Sequence, residues 1–195
     1  MFVSMTNIDI IKKSIKDLRG YWSMALLASI PLSLLPVSIQ YDKNIGMLLL
    51  LLFSGAFRAG LSKVTLNIAT KQPLKMYLIF DGFTYFKHSL GVFLLSMLFI
   101  GLGLICFIIP GILIAIWLSQ AFFILVENPS LEPLEIFKKS RELMKGNEIK
   151  YLSLFLIFIL LSVVLIISNL VLLTLLITPI QYVVFANFYR SIKID

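Results

Sequence analysis

Residues 89–109 read Ser89-Leu90-Gly91-Val92-Phe93-Leu94-Leu95-Ser96-Met97-Leu98-Phe99-Ile100-Gly101-Leu102-Gly103-Leu104-Ile105-Cys106-Phe107-Ile108-Ile109. A helix needs about 20 mostly apolar residues to cross a bilayer, and this run supplies them without one carboxylate or ammonium. Hydrocarbon offers no water to the backbone, so every amide must be satisfied inside the segment, which means a helix. Similar runs lie on either side. Tyr21 to Ile39 is one. Ile45 begins another that runs toward Thr70, its uncharged part ending at Phe57. A shorter run follows a turn at Pro110-Gly111 and ends near Val126. Tyr151 to Ser168 and Leu170 to Tyr189 complete the set. Pro110-Gly111 and Ser168-Asn169 read as tight breaks between paired helices. The expectation is an all-α integral membrane protein, a single membrane domain over residues 1–195 with six transmembrane helices in three hairpins.

Composition agrees. Hydrophobic residues make up 59% of the chain and charged ones 14%, against about 45–50% and 25% in soluble domains. The first run reads as a retained helix. Some twenty residues precede it and no small-residue cleavage site follows, which disfavours a signal peptide.

Seventeen Lys and Arg against ten Asp and Glu leave a net charge of +7. In this setting the basic residues point to anionic lipid headgroups rather than to nucleic acid. They flank the runs in a pattern. Lys12, Lys13, Lys16 and Arg19 precede the first. Lys63, Lys71, Lys75 and Lys87 fall between the second and third, and Lys138, Lys139, Arg141, Lys145 and Lys150 between the fourth and fifth. Arg190 and Lys193 follow the sixth, whereas the opposite connections hold only Lys43. Basic loops stay on the cytoplasmic side, so a multi-pass protein of the cell membrane with both termini cytoplasmic is expected.

Ile8-Asp9-Ile10-Ile11-Lys12-Lys13-Ser14, ending at Arg19-Gly20, matches Leu134-Glu135-Ile136-Phe137-Lys138-Lys139-Ser140, ending at Lys145-Gly146, at a constant offset of 126. A weaker copy, Gln72-Pro73-Leu74-Lys75-Met76-Tyr77, resembles Glu132-Pro133-Leu134-Glu135-Ile136-Phe137. Three internal repeats follow, over residues 7–70, 72–126 and 132–190. Each is a cytoplasmic amphipathic segment leading a hairpin, and parallel repeats of this kind are related by an axis along the membrane normal. In the first segment Ile8, Ile11, Ile15 and Leu18 form the expected apolar face, with Lys12, Lys13, Lys16 and Arg19 around it. Asn7 is the expected cap, and Gly20 and Gly146 the expected ends. Lys12, Lys13, Lys16, Arg19, Lys138, Lys139 and Lys145 are the candidate contacts to anionic lipid. The aromatics Phe80, Phe83, Tyr85 and Phe86 suit the headgroup layer.

The order of motifs carries a resemblance. Ile79-Phe80-Asp81-Gly82-Phe83, Ile108-Ile109-Pro110-Gly111, Glu127-Asn128-Pro129, the run Lys138 to Asn147, Thr178-Pro179-Ile180 and Phe188-Tyr189 together resemble the bacterial integral-membrane family called domain of unknown function 975. That family more often has Asp where Glu127 stands and Tyr where Ile180 stands. It is also similar to the membrane portion attached to some glycerophosphodiester phosphodiesterases, but no catalytic domain follows here and that activity is not implied. The resemblance implies fold and location, with function open.

Chemistry is sparse. One histidine (His88) and one cysteine (Cys106) do not make a zinc site, and no nucleophile, base and carboxylate converge. His88 reads as interfacial and Asp81-Gly82 as a break in an interfacial helix. Gly101 and Gly103 lie in an apolar run with no phosphate-loop Lys and read as sites of close helix approach. No enzyme activity, cofactor or metal is expected.

Arg58 stands out as a charge in a spanning segment, where ionisable residues face protein or water or snorkel outward. With the amides Gln120, Gln181 and Asn187 it forms a candidate intramembrane polar site. Pro179 frees a carbonyl one turn earlier. Gly55, Ala56, Ala59 and Gly60 make a strip of small residues, suited to packing within the chain or to a homodimer seam. Coupled transporters bury a carboxylate, and none falls in these runs. The expectation is a non-enzymatic protein that binds lipid, peptide or a protein partner at the cytoplasmic leaflet. A small transporter or pore, and an immunity protein against a membrane-active peptide, remain as alternatives.

Overall fold

The small-residue strip decides how the molecule is assembled. It lies on α4 (Lys43–Thr70), one continuous helix of 28 residues. At about 1.5 Å per residue α4 is roughly 42 Å long, longer than the ~30 Å hydrocarbon core. Asp42 caps its start, accepting from the amides of Asn44 and Ile45 at 2.9 Å. The strip is filled by the chain itself. A Cβ on Gly60 would stand 1.9 Å from the Ile79 carbonyl oxygen, and one on Gly55 2.4 Å from that of Ser89. Gly82 meets α4 from the other side, its Cβ position 2.1 Å from the Ala56 carbonyl oxygen. The short 3-10 helix Met76–Phe83 is thereby seated against α4. Gly55, Ala56, Ala59 and Gly60 are all buried in this packing, so the strip is filled inside the chain.

The computed structural model describes residues 5–168 and 173–194. Among them every regular element is a helix. In chain order these are α1 (Asn7–Leu18), α2 (Trp22–Leu34), a 3-10 turn (Leu35–Val37), α3 (Ser38–Tyr41), α4 and the 3-10 helix. Then come α5 (Phe86–Cys106), α6 (Ile108–Trp117), α7 (Ala121–Glu127), α8 (Pro133–Met144), α9 (Glu148–Ile167) and α10 (Thr174–Ile194). Five stretches are long and apolar enough to cross a membrane: Trp22–Tyr41, Lys43–Thr70, Phe86–Cys106, Ile108–Glu127 and Glu148–Leu165. Large apolar side chains cover their outer faces, Leu102, Ile105, Leu160 and Val164 among them, as suits a lipid solvent.

The expected sixth segment, Leu170 to Tyr189, is described from Leu173 onward. The helix is present as α10, but Gln181, Asn187, Arg190 and Lys193 interrupt its apolar character. The reason is tertiary: α10 packs on α1, α2, α4 and α9, and Val183, Val184, Ala186 and Phe188 have no exposure. Of its polar groups Asn187 is buried, Gln181 and Arg190 line cavities, and Lys193 is exposed. The expected break at Ser168-Asn169 and the start at Leu170 fall at or within residues outside the described ones.

The turn between the third and fourth segments lies earlier than Pro110-Gly111. Phe107 is extended (φ −160°, ψ 145°), and α6 begins at Ile108 with Pro110 in its first turn. Proline fits there because the first helical amides lack partners in any case. Gly103 and Gly111 let α5 and α6 close, since a Cβ on Gly103 would lie 2.9 Å from the Gly111 Cα. Gly101 has nothing within 4 Å and takes no part.

The fourth segment is itself broken. α6 stops at Trp117, residues 118–120 turn, and α7 resumes at Ala121. The Ser140 hydroxyl on α8 donates to the Trp117 carbonyl at 2.6 Å. This satisfies an acceptor at the break that a continuous helix would have used itself.

The helices α1 and α8 have the same local geometry at the 126-residue offset. Asn7–Leu18 corresponds to Pro133–Met144, and the buried residues Ile10, Ser14 and Leu18 to Ile136, Ser140 and Met144. Gly20 and Gly146 hold φ of 87° and 85°, a left-handed conformation open to glycine. The terminal bonds also correspond. Arg19 to Lys16 matches Lys145 to Glu142, and Tyr21 to Leu18 matches Asn147 to Met144. The connection Met76–Phe83 is a 3-10 helix instead.

The buried face of α1 differs from the expected one. Ile8 and Ile15 are exposed, while Ile10 and Ser14 point inward. A serine within the inner face disguised it: Ser14 bonds the Ile10 carbonyl at 2.7 Å and accepts from Asn187 at 3.1 Å. The cap is Thr6, not Asn7, in a reciprocal box with Asp9 that holds the Asp9 carboxyl below its usual range. Asn7 is used elsewhere, donating to Lys150 O at 3.1 Å and to Ser153 Oγ at 2.6 Å, which ties α1 to α9.

Candidate functional site

Helices α4, α5, α6, α7, α9 and α10 surround a cavity of about 430 Å³. α4 contributes Arg58 and Ser62, α5 Ser96, the break after α6 Leu118 and Ser119, α9 Tyr151 and α10 Gln181 and Tyr182. Apolar side chains such as Ile112, Phe122 and Phe185 form the remaining wall. Arg58 lies 12 residues before Thr70 on α4, about 18 Å along the helix. Its guanidinium stands 5.6 Å from the centre of the Phe93 ring, within range of a cation–π contact. Among the described residues no hydrogen bond or ion pair engages it. A positive charge, several hydroxyls and one amide thus share a mostly apolar space. That set suits a ligand with an acidic head and an apolar body.

The four residues of the candidate polar site divide three ways. Arg58 and Gln181 meet in this cavity. Gln120 lies just behind its wall, fully buried, with Nε2 donating to Ser119 Oγ at 2.8 Å and Oε1 unpartnered. Asn187 belongs to the α1–α10 contact, donating to Ser14 and to Asp17 at 3.2 Å. Sequence reading did not find Ser119, Tyr151 or Tyr182. Hydroxyls in apolar helices are common, and only the packing shows which of them converge.

The candidate lipid contacts separate in a comparable way. Lys12 and Arg19 are exposed on and just after α1. Lys13 and Lys16 line a cavity with Lys71 and Arg190. Lys138 lies with Arg141 beside Trp117, the Arg141 guanidinium 4.5 Å from the Trp117 ring. Lys139 and Lys145 line a groove of about 690 Å³ with Glu127, Tyr189 and Lys193. In that groove the Glu127 carboxylate accepts from the Tyr189 hydroxyl and, at 2.6 Å, from the Lys193 ammonium. Two separated sequence motifs, Glu127-Asn128-Pro129 and Phe188-Tyr189, thereby meet.

His88 approaches Glu132 at 3.9 Å near the surface. Asp81 accepts from the Tyr85 hydroxyl at 3.2 Å, while Phe80, Phe83 and Phe86 meet Phe53 and Phe57 of α4 in tilted and edge-on ring contacts. Among the described residues no group of three His, Cys, Asp or Glu side chains is placed to hold a metal.

The family model described as protein of unknown function (DUF975) matches residues 103–195, from the end of α5 through α10. No curated protein and no solved structure matches the chain.

Proposed function

We propose that the chain is a multi-pass protein of the cell membrane that belongs to this family of unknown function over its whole length. Six crossings form three hairpins, both termini are cytoplasmic, and α10 is the crossing sheltered by the others. The placement of the basic residues supports the orientation. The paired geometry of α1 and α8 supports the copying of residues 7–70 and 132–190 from one ancestral unit, with 72–126 a diverged third. The likeness of this architecture to the membrane portion attached to some glycerophosphodiester phosphodiesterases is part of the same proposal.

The protein is non-enzymatic and binds an anionic amphiphile, a lipid or lipid-like molecule, with its head at Arg58. One observation carries this reading: Arg58 lines a cavity in which, among the described residues, no carboxylate answers it. An uncompensated charge in a spanning segment costs at least about 2.5 kcal/mol, and an acidic head group would recover part of it. Native mass spectrometry of protein released from membranes tests the reading. Wild type retains an acidic amphiphile, and Arg58→Gln loses it while Lys12→Ala does not. Equal retention by wild type and Arg58→Gln overturns it.

The break at Leu118–Gln120 favours a second reading, transport. Discontinuous helices at mid-membrane are a feature of transporter sites, and Leu118 and Ser119 of the break line the cavity. Flux of the retained amphiphile through reconstituted vesicles, abolished by Arg58→Gln, would establish transport. Binding without flux leaves the first reading.

A further inference from the structure

At the 126-residue offset, Lys13, Lys16 and Asp17 of α1 correspond to Lys139, Glu142 and Leu143 of α8. Each trio lines a cavity formed with the end of a hydrophobic helix and the last turns of α10. The α8 cavity carries its own anion, since Glu127 at the end of α7 bonds Lys193. The α1 cavity, about 430 Å³, has no equivalent. Lys13, Lys16, Lys71 and Arg190 line it against one carboxylate, Asp17, and Asp17 is engaged by the Asn187 amide at 3.2 Å. Arg190 donates to the Ala69 carbonyl at the end of α4, which fixes its guanidinium at the rim. Among the described residues no ion pair engages Lys13, Lys16 or Lys71.

We propose that this cavity binds a phosphate-bearing anion. Like charges gathered around one concave space repel and focus a positive potential, and a single bound anion relieves all of them together. Three ammonium groups and one guanidinium suit an oxygen-rich, highly charged group. Beyond these charged groups the wall consists of Ala69 and Thr70, so it recognises a head and holds neither an acyl chain nor an aromatic ring. The phosphate is that of a lipid headgroup or of a soluble molecule. No residue is shared with the Arg58 cavity, so the two sites stand or fall separately.

The test uses the full chain in phosphatidylcholine nanodiscs. One arm adds phosphatidylglycerol to the bilayer and counts retained lipid by native mass spectrometry. The other titrates inorganic phosphate by calorimetry. Wild type binds in at least one arm, and the responding arm identifies the source. The double variant Lys13→Ala/Lys71→Ala weakens that binding about 25-fold, taking roughly fivefold per lysine. The arginine pair Lys13→Arg/Lys71→Arg retains it, which separates lost charge from lost folding. Lys75→Ala/Lys87→Ala, an equal loss of charge outside both cavities, leaves it unchanged. No binding in either arm by wild type, or equal loss in the Lys75→Ala/Lys87→Ala control, overturns the site.

Discussion

The Ser140 hydroxyl reaches from α8 to the carbonyl of Trp117 at 2.6 Å, and so joins a surface helix to the point at which the fourth hydrophobic segment breaks. Ser140 is fully buried. Ser140→Ala removes the donor and leaves the acceptor, at a cost of about 1 kcal/mol. The expected result is a thermal midpoint in detergent below that of wild type. Equal midpoints for Ser140→Ala and wild type would remove α8 as a brace of the break.

The glycines that meet backbone are predicted to tolerate no side chain. Gly60→Ala and Gly82→Ala drive a methyl into the Ile79 and Ala56 carbonyls and should each destabilise by about 1–3 kcal/mol. Gly101→Ala, in α5 with open space around it, should be neutral or stabilise by up to about 1 kcal/mol through helix propensity. Thermal unfolding of the three variants side by side checks the contrast.

Gly20 and Gly146 should behave as twins. Both hold positive φ, and a Cβ added at either would have no atom within 4 Å. Alanine at either site therefore meets a backbone penalty alone. The expected loss is about 1–2 kcal/mol each, equal within error and additive in the double variant because the two turns do not touch. A large difference between the two would show that the two turns are held differently.

Cys106 reports orientation without engineering. It is the only cysteine and is exposed at the end of α5, opposite the basic connections. With the termini cytoplasmic, a membrane-impermeant thiol reagent added outside intact cells labels Cys106. In a Cys106→Ser background, Lys145→Cys reacts in inverted vesicles only. The reverse pattern would overturn the orientation.

Much of the framework is legible in the chain because it depends on near neighbours. Runs of about 20 apolar residues declare helices in lipid by the backbone hydrogen-bond requirement alone. The turns at Gly20 and Gly146 are local too, since a left-handed residue after a helix selects glycine. The likeness of α1 to α8 could be read at a fixed offset for the same reason.

Tertiary structure decided the rest, because it concerns residues far apart in the chain. Ser14 made the true inner face of α1 look polar until Asn187 supplied its partner. The strip at Gly55 to Gly60 fits several kinds of neighbour, and the 3-10 helix that fills it is recognisable only once packed. The sequence offers α10 as a sixth apolar run, and only the packing shows that Val183, Val184, Ala186 and Phe188 are shielded by other helices. Arg58 and Gln181 are separated by 123 positions in sequence, as Lys13 and Arg190 are by 177. No periodicity links such pairs; only the packing of α10 on α4 and on α1 brings them to common cavities.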